Sequence, residues 1–212
     1  MNFLAHLYLS ANDAEIKTGN FIGDFVKGSA HINYSRKIQQ GILLHRKIDH
    51  YTDRHPVTKE LSQLVKSKFH RHAGIVIDIF YDHFLSRNWS LFSDDALNTF
   101  INKCHHILLA NFFILPGQVK SFLPVMIAKN RLQSYYEIEG IENALKIMSK
   151  YTSLPAESSF AVEVMKNNYG FINDKFIDFF SEIIDYVNLE LKKYNEEDTK
   201  GESDKIKIYP SE

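Results

Sequence analysis

One stretch constrains this chain more than any other: Ile75-Val76-Ile77-Asp78-Ile79-Phe80-Tyr81-Asp82-His83-Phe84-Leu85 is apolar almost all round a helix, yet carries two aspartates four residues apart. A helix apolar on every side belongs inside a bundle of other helices. At about 100° per residue, Asp78 and Asp82 lie within about 40° of each other, so both carboxylates point one way. Buried carboxylates need a cation, a basic partner or hydrogen bonds. The pair therefore asks for a metal ion or for Arg/Lys from neighbouring helices, and removing a charge is expected to relieve repulsion on that face.

The rest of the chain also reads as helix, with no period-two strand and no Asn-Gly or Asp-Gly hairpin turn. The fold class expected is all-α, a single-domain bundle over residues 1–194. A short helix spans Phe3 to Leu9, and a second, capped at Asn12, runs toward Phe25 with Gly28 as its stop. A third covers Tyr34 to Asp53, and Pro56 opens the next at its first turn. Ala73 to Arg87 forms the core helix. Ser93 with Asp94 and Asp95 reads as the cap of a helix toward Asn111, ending before Leu115-Pro116-Gly117. Two or three more helices follow, the last from about Asn173 to Tyr194. The charged segment Asn195–Glu212 has too little apolar content to fold by itself and is expected to be a flexible tail.

On the helix before the core helix, His45, Asp49 and Asp53 recur every four residues and form a polar stripe opposite Leu44 and Ile48. Such a stripe is either a solvated face or, if it faces Asp78 and Asp82 across a cleft, part of a metal site. Imidazole nitrogen with carboxylate oxygens suits Mn²⁺, Mg²⁺ or Fe²⁺. His6, among Phe3, Leu4 and Leu7, reads as a hydrogen-bonded core residue or a proton carrier. Asp24, between Phe21 and Phe25 beside two glycines, is a cap or a functional acid. His83 joins the site or holds another helix. Arg46, beside the stripe, is a candidate phosphate contact.

Charge is distributed unevenly. Residues 1–90 carry 12 Lys/Arg against 8 Asp/Glu and eight of the ten histidines, whereas the remainder is acidic. Chemistry is expected in the first half. The single cysteine, Cys104, excludes a disulfide framework and a cysteine-rich zinc site. No apolar run reaches the roughly 20 residues that cross a bilayer, and no signal peptide is evident, so a cytoplasmic location without membrane or nucleic-acid partners is expected.

Four blocks in order carry a resemblance: Met1-Asn2-Phe3-Leu4-Ala5-His6-Leu7-Tyr8-Leu9-Ser10, Gly19-Asn20-Phe21-Ile22-Gly23-Asp24-Phe25-Val26-Lys27-Gly28, Gly41 to Pro56, and Asp78 to Trp89. Together they resemble the acyl carrier protein phosphodiesterase family over roughly residues 1–190. The resemblance implies a helical fold related to the HD-type phosphohydrolases, a divalent cation with Mn²⁺ favoured, and cleavage of the phosphodiester between phosphopantetheine and a carrier-protein serine. On this chain such a cation would be held by the residues singled out above, His45, Asp49, Asp78 and Asp82, with Asp24 a fifth candidate, and His6, Asp24 and His83 are the catalytic candidates. The adjacent His-Asp doublet of HD enzymes is absent; Asp82-His83 has the reverse order. An acidic carrier would meet the basic excess through Arg36, Lys37, Arg46 and Lys47.

Competing readings are a nucleotide phosphohydrolase with similar ligands, an isoprenoid-diphosphate enzyme using the Asp49/Asp53 and Asp78/Asp82 pairs, and a helical binding module whose acids only bridge to Arg and Lys. A ferritin-like di-iron site is disfavoured because Glu-x-x-His pairs are missing.

Overall fold

Two helices that meet at a pair of glycines fix the N-terminal half. In the computed structural model, which describes residues 1–206, α1 (Phe3–Tyr8) leads into α2 (Ala14–Ile22). The α2 cap is Asp13 rather than Asn12: its carboxylate accepts the N–H groups of Glu15 and Ile16, two of the first-turn donors that have no partner within the helix. A 3-10 turn, Gly23–Phe25, ends α2 before Phe25, and Gly28 takes the left-handed conformation at φ 56°. α3 (Arg36–Arg54) crosses α2 closely. A Cβ on Gly19 would lie 2.2 Å from the Ile38 carbonyl oxygen, and one on Gly41 2.2 Å from that of Ile16. Only glycine permits this approach, and it brings the Asn20 carbonyl within hydrogen-bonding range of His45.

Pro56 opens α4 (Pro56–Phe69) at its first turn, as expected. α5 (Ala73–Arg87) has the predicted span and is buried along most of it, Ile77, Phe80, Tyr81 and Phe84 being fully covered. After α6 (Trp89–Phe92), α7 (Leu97–Ala110) starts later than its expected cap at Ser93. The intervening residues are held otherwise: the Trp89 indole donates to the Asp95 carbonyl at 2.7 Å, and the Asp95 carboxylate pairs with Lys103.

Among the described residues five helices follow rather than two or three: α8 (Gly117–Ala128), α9 (Arg131–Ser134), α10 (Ile138–Tyr151), α11 (Ser158–Asn167) and α12 (Tyr169–Ile206). Apart from residues 152–157, the breaks are of one to three residues, one of them made by Asn130 in the left-handed region at φ 45°. Periodicity does not resolve interruptions of that length. α12 continues beyond Tyr194, with no proline to stop it before Ile206; residues 207–212 of the expected tail lie outside the described residues.

α12 presents Phe176 and Phe179 to the core helix and Phe180 to Tyr8 and Phe92, all three fully buried; Tyr81 stacks on Phe179 with centroids 4.8 Å apart. Each such phenylalanine stabilises the fold by roughly 1.5–3 kcal/mol. This packing fixes α5 while Asp82 reaches α1. Among the described residues there is no strand, and no helix is long and apolar enough to cross a membrane.

Candidate metal centre

The α2/α3 crossing and α1 bring two histidines onto one carboxylate. His6 projects from α1, and His45 precedes Asp49 by one turn of α3. His6 Nε2 lies 3.1 Å from Asp49 Oδ1, and His45 Nε2 3.1 Å from Asp49 Oδ2. The imidazoles stack at 4.0 Å, and one ligand atom from each of the three residues falls within 4.8 Å of the others. Asp24, on the 3-10 turn after α2, approaches His45 Nε2 at 3.4 Å. Its side chain is 62% exposed, which puts it at the mouth of a cluster whose histidines are buried. Gly23 admits the His45 ring: a Cβ there would lie 2.2 Å from its Cγ.

The inner nitrogens are already engaged. His6 Nδ1 is 2.7 Å from Asn20 Oδ1, and His45 Nδ1 is 2.9 Å from the Asn20 carbonyl oxygen. With Nδ1 donating to a carbonyl, a neutral imidazole turns the lone pair of Nε2 outward, as metal-ligating histidines do. Nε2 of His45 is buried and makes no well-directed hydrogen bond, although carboxylate oxygens lie close by. A lone pair aimed at carboxylates is unfavourable unless a positive charge stands between them. Burial lowers the His45 pKa, but Asp24 and Asp49 outweigh it and lift it to about 9. Burial and the neighbouring His45 push His6 down to about 4. Burial favours the neutral form of Asp49, yet its contacts with His45, His6 and the Met1 amine hold its pKa far below the ordinary range. Two imidazole nitrogens and a carboxylate fit a divalent first-row cation.

The remaining candidates divide. Asp78 is adjacent, linked to Asp49 through the Met1 α-amino group, which lies 3.0 Å from Asp78 Oδ1 and 3.3 Å from Asp49 Oδ1. Burial opposes the charge of that amine, but Asp78 and Asp49 raise its pKa to about 11. The stripe on α3 therefore faces the Asp78 side of α5. Asp82 is engaged elsewhere: fully buried, it accepts the backbone N–H of Leu4 through Oδ2 at 2.9 Å and of Ala5 through Oδ1 at 3.1 Å. It thereby holds the first turn of α1, the helix that carries His6. Burial raises its pKa to about 7 despite those bonds. His83 turns away, with Nδ1 on the Tyr135 carbonyl and Nε2 on the Tyr169 hydroxyl. Arg46 donates to the carbonyls of Val26 and Gly28, both at 2.8 Å, and fastens the segment after Asp24. Lys37 pairs with Asp13, and Lys47 with Glu190 beside the Tyr194 ring. Arg36 lies on the exposed first turn of α3. Asn20 and the Met1 amine escaped the sequence reading. Asn20 stood inside the Gly19–Gly28 block, but an asparagine among apolar residues gives no periodic signal.

Fold and site together define an all-helical protein with a histidine–aspartate cluster of metal-binding type. The family model for acyl carrier protein phosphodiesterase matches residues 1–183. Similar chains carry the same name: a protein of Yersinia enterocolitica is 35% identical over 150 residues, covering 70% of this chain and 78% of that one. One of Yersinia pestis is 29% identical over 181 residues, covering 85% and 94%, and one of Photorhabdus laumondii is 33% identical over 151 residues, covering 71% and 76%. The chain belongs to the acyl carrier protein phosphodiesterase family. No solved structure matches it.

Proposed function

We propose that this chain hydrolyses the phosphodiester linking 4′-phosphopantetheine to the serine of holo-acyl carrier protein, releasing apo-carrier and 4′-phosphopantetheine in the cytoplasm. The family and its similarly named relatives support the substrate; the convergence of His6, His45 and Asp49 carries the chemistry.

His6 Nε2, His45 Nε2 and Asp49 are the proposed ligands, with Asp24 and Asp78 flanking them and Mn²⁺ favoured over Mg²⁺ or Fe²⁺. A divalent cation held there supplies Lewis acidity toward the phosphoryl oxygens and toward water. Asp24, ionised and at the mouth, orients an incoming water by accepting its hydrogen. In this reading His6 is a ligand rather than a proton carrier, Asp82 fixes α1, and His83 fixes the contact of α5 with Tyr135 and Tyr169. The ligands then come from α1 and α3, with Asp24 on the 3-10 turn and Asp78 on α5 beside them, in place of an adjacent His-Asp doublet. Catalysis is assigned to residues 1–194. Arg36 and Lys37, on the first turn of α3, together with Lys47, form the proposed docking patch for an acidic carrier.

The test is incubation of purified protein with holo-carrier protein and Mn²⁺, reading the carrier mass. The mass should fall by that of the phosphopantetheine group; an unchanged carrier alongside turnover of a nucleotide panel would refute the assignment.

A further inference from the structure

One buried residue outside the ligand set contacts both histidines. Asn20 is fully buried, and every polar atom of its side chain is used. Its Nδ2 donates to the His6 carbonyl at 3.0 Å and to Ser10 Oγ at 2.8 Å. Ser10 Oγ in turn donates to the same His6 carbonyl at 2.6 Å. With its own proton committed there, the Ser10 hydroxyl meets Asn20 as an acceptor. The NH₂ end of the amide is thus fixed by two acceptors, and Oδ1 must be the atom that faces His6 Nδ1. An amide oxygen accepts only, so His6 Nδ1 carries a proton, and Nε2, 3.1 Å from Asp49 Oδ1, is the nitrogen left for a cation to take. The main-chain carbonyl of the same residue likewise accepts the N–H of His45 Nδ1, leaving Nε2 as the nitrogen for a cation.

We propose that Asn20 is the positioning residue of this centre, its side chain setting the tautomer of His6 and its backbone that of His45. This rests on the reading that the cluster binds a metal ion, because the Nε2 atoms are the ones offered to it. Outer hydrogen-bond partners of ligating histidines commonly change metal affinity 10- to 100-fold. Asn20→Leu removes the acceptor at similar volume and leaves the main-chain carbonyl in place, whereas Asn20→Asp keeps an acceptor toward Nδ1. The two variants therefore separate tautomer control from simple filling of space.

The first experiment uses the unmodified protein. Nitrogen-15 spectra of the metal-free chain at neutral pH should show His6 protonated at Nδ1; a neutral His6 whose single proton sits on Nε2 overturns the proposal by itself. Mn²⁺ titration follows. Asn20→Leu should bind about 10- to 100-fold more weakly than wild type, while Asn20→Asp stays within about tenfold. Wild-type affinity in Asn20→Leu, or an equal loss in both variants, overturns positioning by the side chain. If wild type binds no divalent ion, the metal reading fails instead, and the two failures are told apart. Should Asn20→Leu not fold, the wild-type spectrum decides alone.

Discussion

Replacing Gly23 by alanine perturbs the proposed centre through a single methyl group. Gly23 sits at φ −52°, ψ −39°, a conformation alanine adopts freely, so the effect arises from contact and not from backbone strain. The added Cβ would stand 2.2 Å from His45 Cγ and 2.5 Å from Cδ2, whereas ordinary contact begins at 3.4 Å. The ring must therefore retreat by about 1.2 Å, or α2 and α3 must part by that much. Metal–ligand distances tolerate about 0.2 Å, and a displacement of about 1 Å in a catalytic constellation costs on the order of 100-fold in rate. We expect turnover of holo-carrier to fall about 100-fold, Mn²⁺ affinity to drop with it, and stability to decrease by about 1–3 kcal/mol. The assay is the rate of carrier mass conversion at saturating Mn²⁺, paired with urea unfolding. Gly74→Ala is the control: nothing lies within 4 Å of its added Cβ, so it should keep full turnover and gain about 0.5–1 kcal/mol. Near-normal turnover and affinity in Gly23→Ala would refute the placement of His45 in the working site.

Three further outcomes follow from particular contacts. Asp82→Ala leaves the buried N–H groups of Leu4 and Ala5 without an acceptor, so urea unfolding of the metal-free protein should show a loss of at least about 1–3 kcal/mol; a gain would contradict its role on α1. His105 is buried with an unpartnered Nε2, and burial lowers its pKa. The unfolded chain binds that proton more readily, so the contribution is fully present above the unfolded value of about 6.5 and is lost as pH falls through and below it; His105→Leu should flatten the acid side of the stability profile, measured as urea midpoints at several pH values. Turnover of holo-carrier should fall as salt contracts the Debye length toward about 8 Å, while a small neutral-bodied phosphodiester changes little. Combined charge reversal at Arg36, Lys37 and Lys47 should reproduce that loss at low salt, and equal salt sensitivity for both substrates would exclude the docking patch.

The helices were legible wherever one periodic pattern ran uninterrupted. α5 and α3 emerge with nearly their observed ends because their apolar positions and flanking breakers agree. The C-terminal half was harder, since a one- or two-residue interruption such as Asn130 leaves the hydrophobic period intact on both sides. For the site, spacing identified His45 and Asp49 as neighbours on one face, and the structure brings His6 and Asp24 to them. Spacing also placed Asp78 and Asp82 on one face of α5, but it could not see that α1 arrives with bare N–H groups. Those donors take both oxygens of Asp82 and reverse the expected effect of its removal. Asn20 stayed hidden for a related reason: its importance lies in what crosses it in space, and that depends on the glycine-to-glycine approach of α2 and α3.

The central claim is that His6, His45 and Asp49 together hold one divalent cation. It is tested most directly by calorimetric titration of metal-free protein with Mn²⁺, comparing wild type with Asp49→Asn, a substitution that keeps the shape and removes the shared carboxylate. The account predicts one ion bound per wild-type chain and no measurable binding in the variant under the same conditions. Equal affinity and stoichiometry in the two proteins would contradict it and place any metal elsewhere.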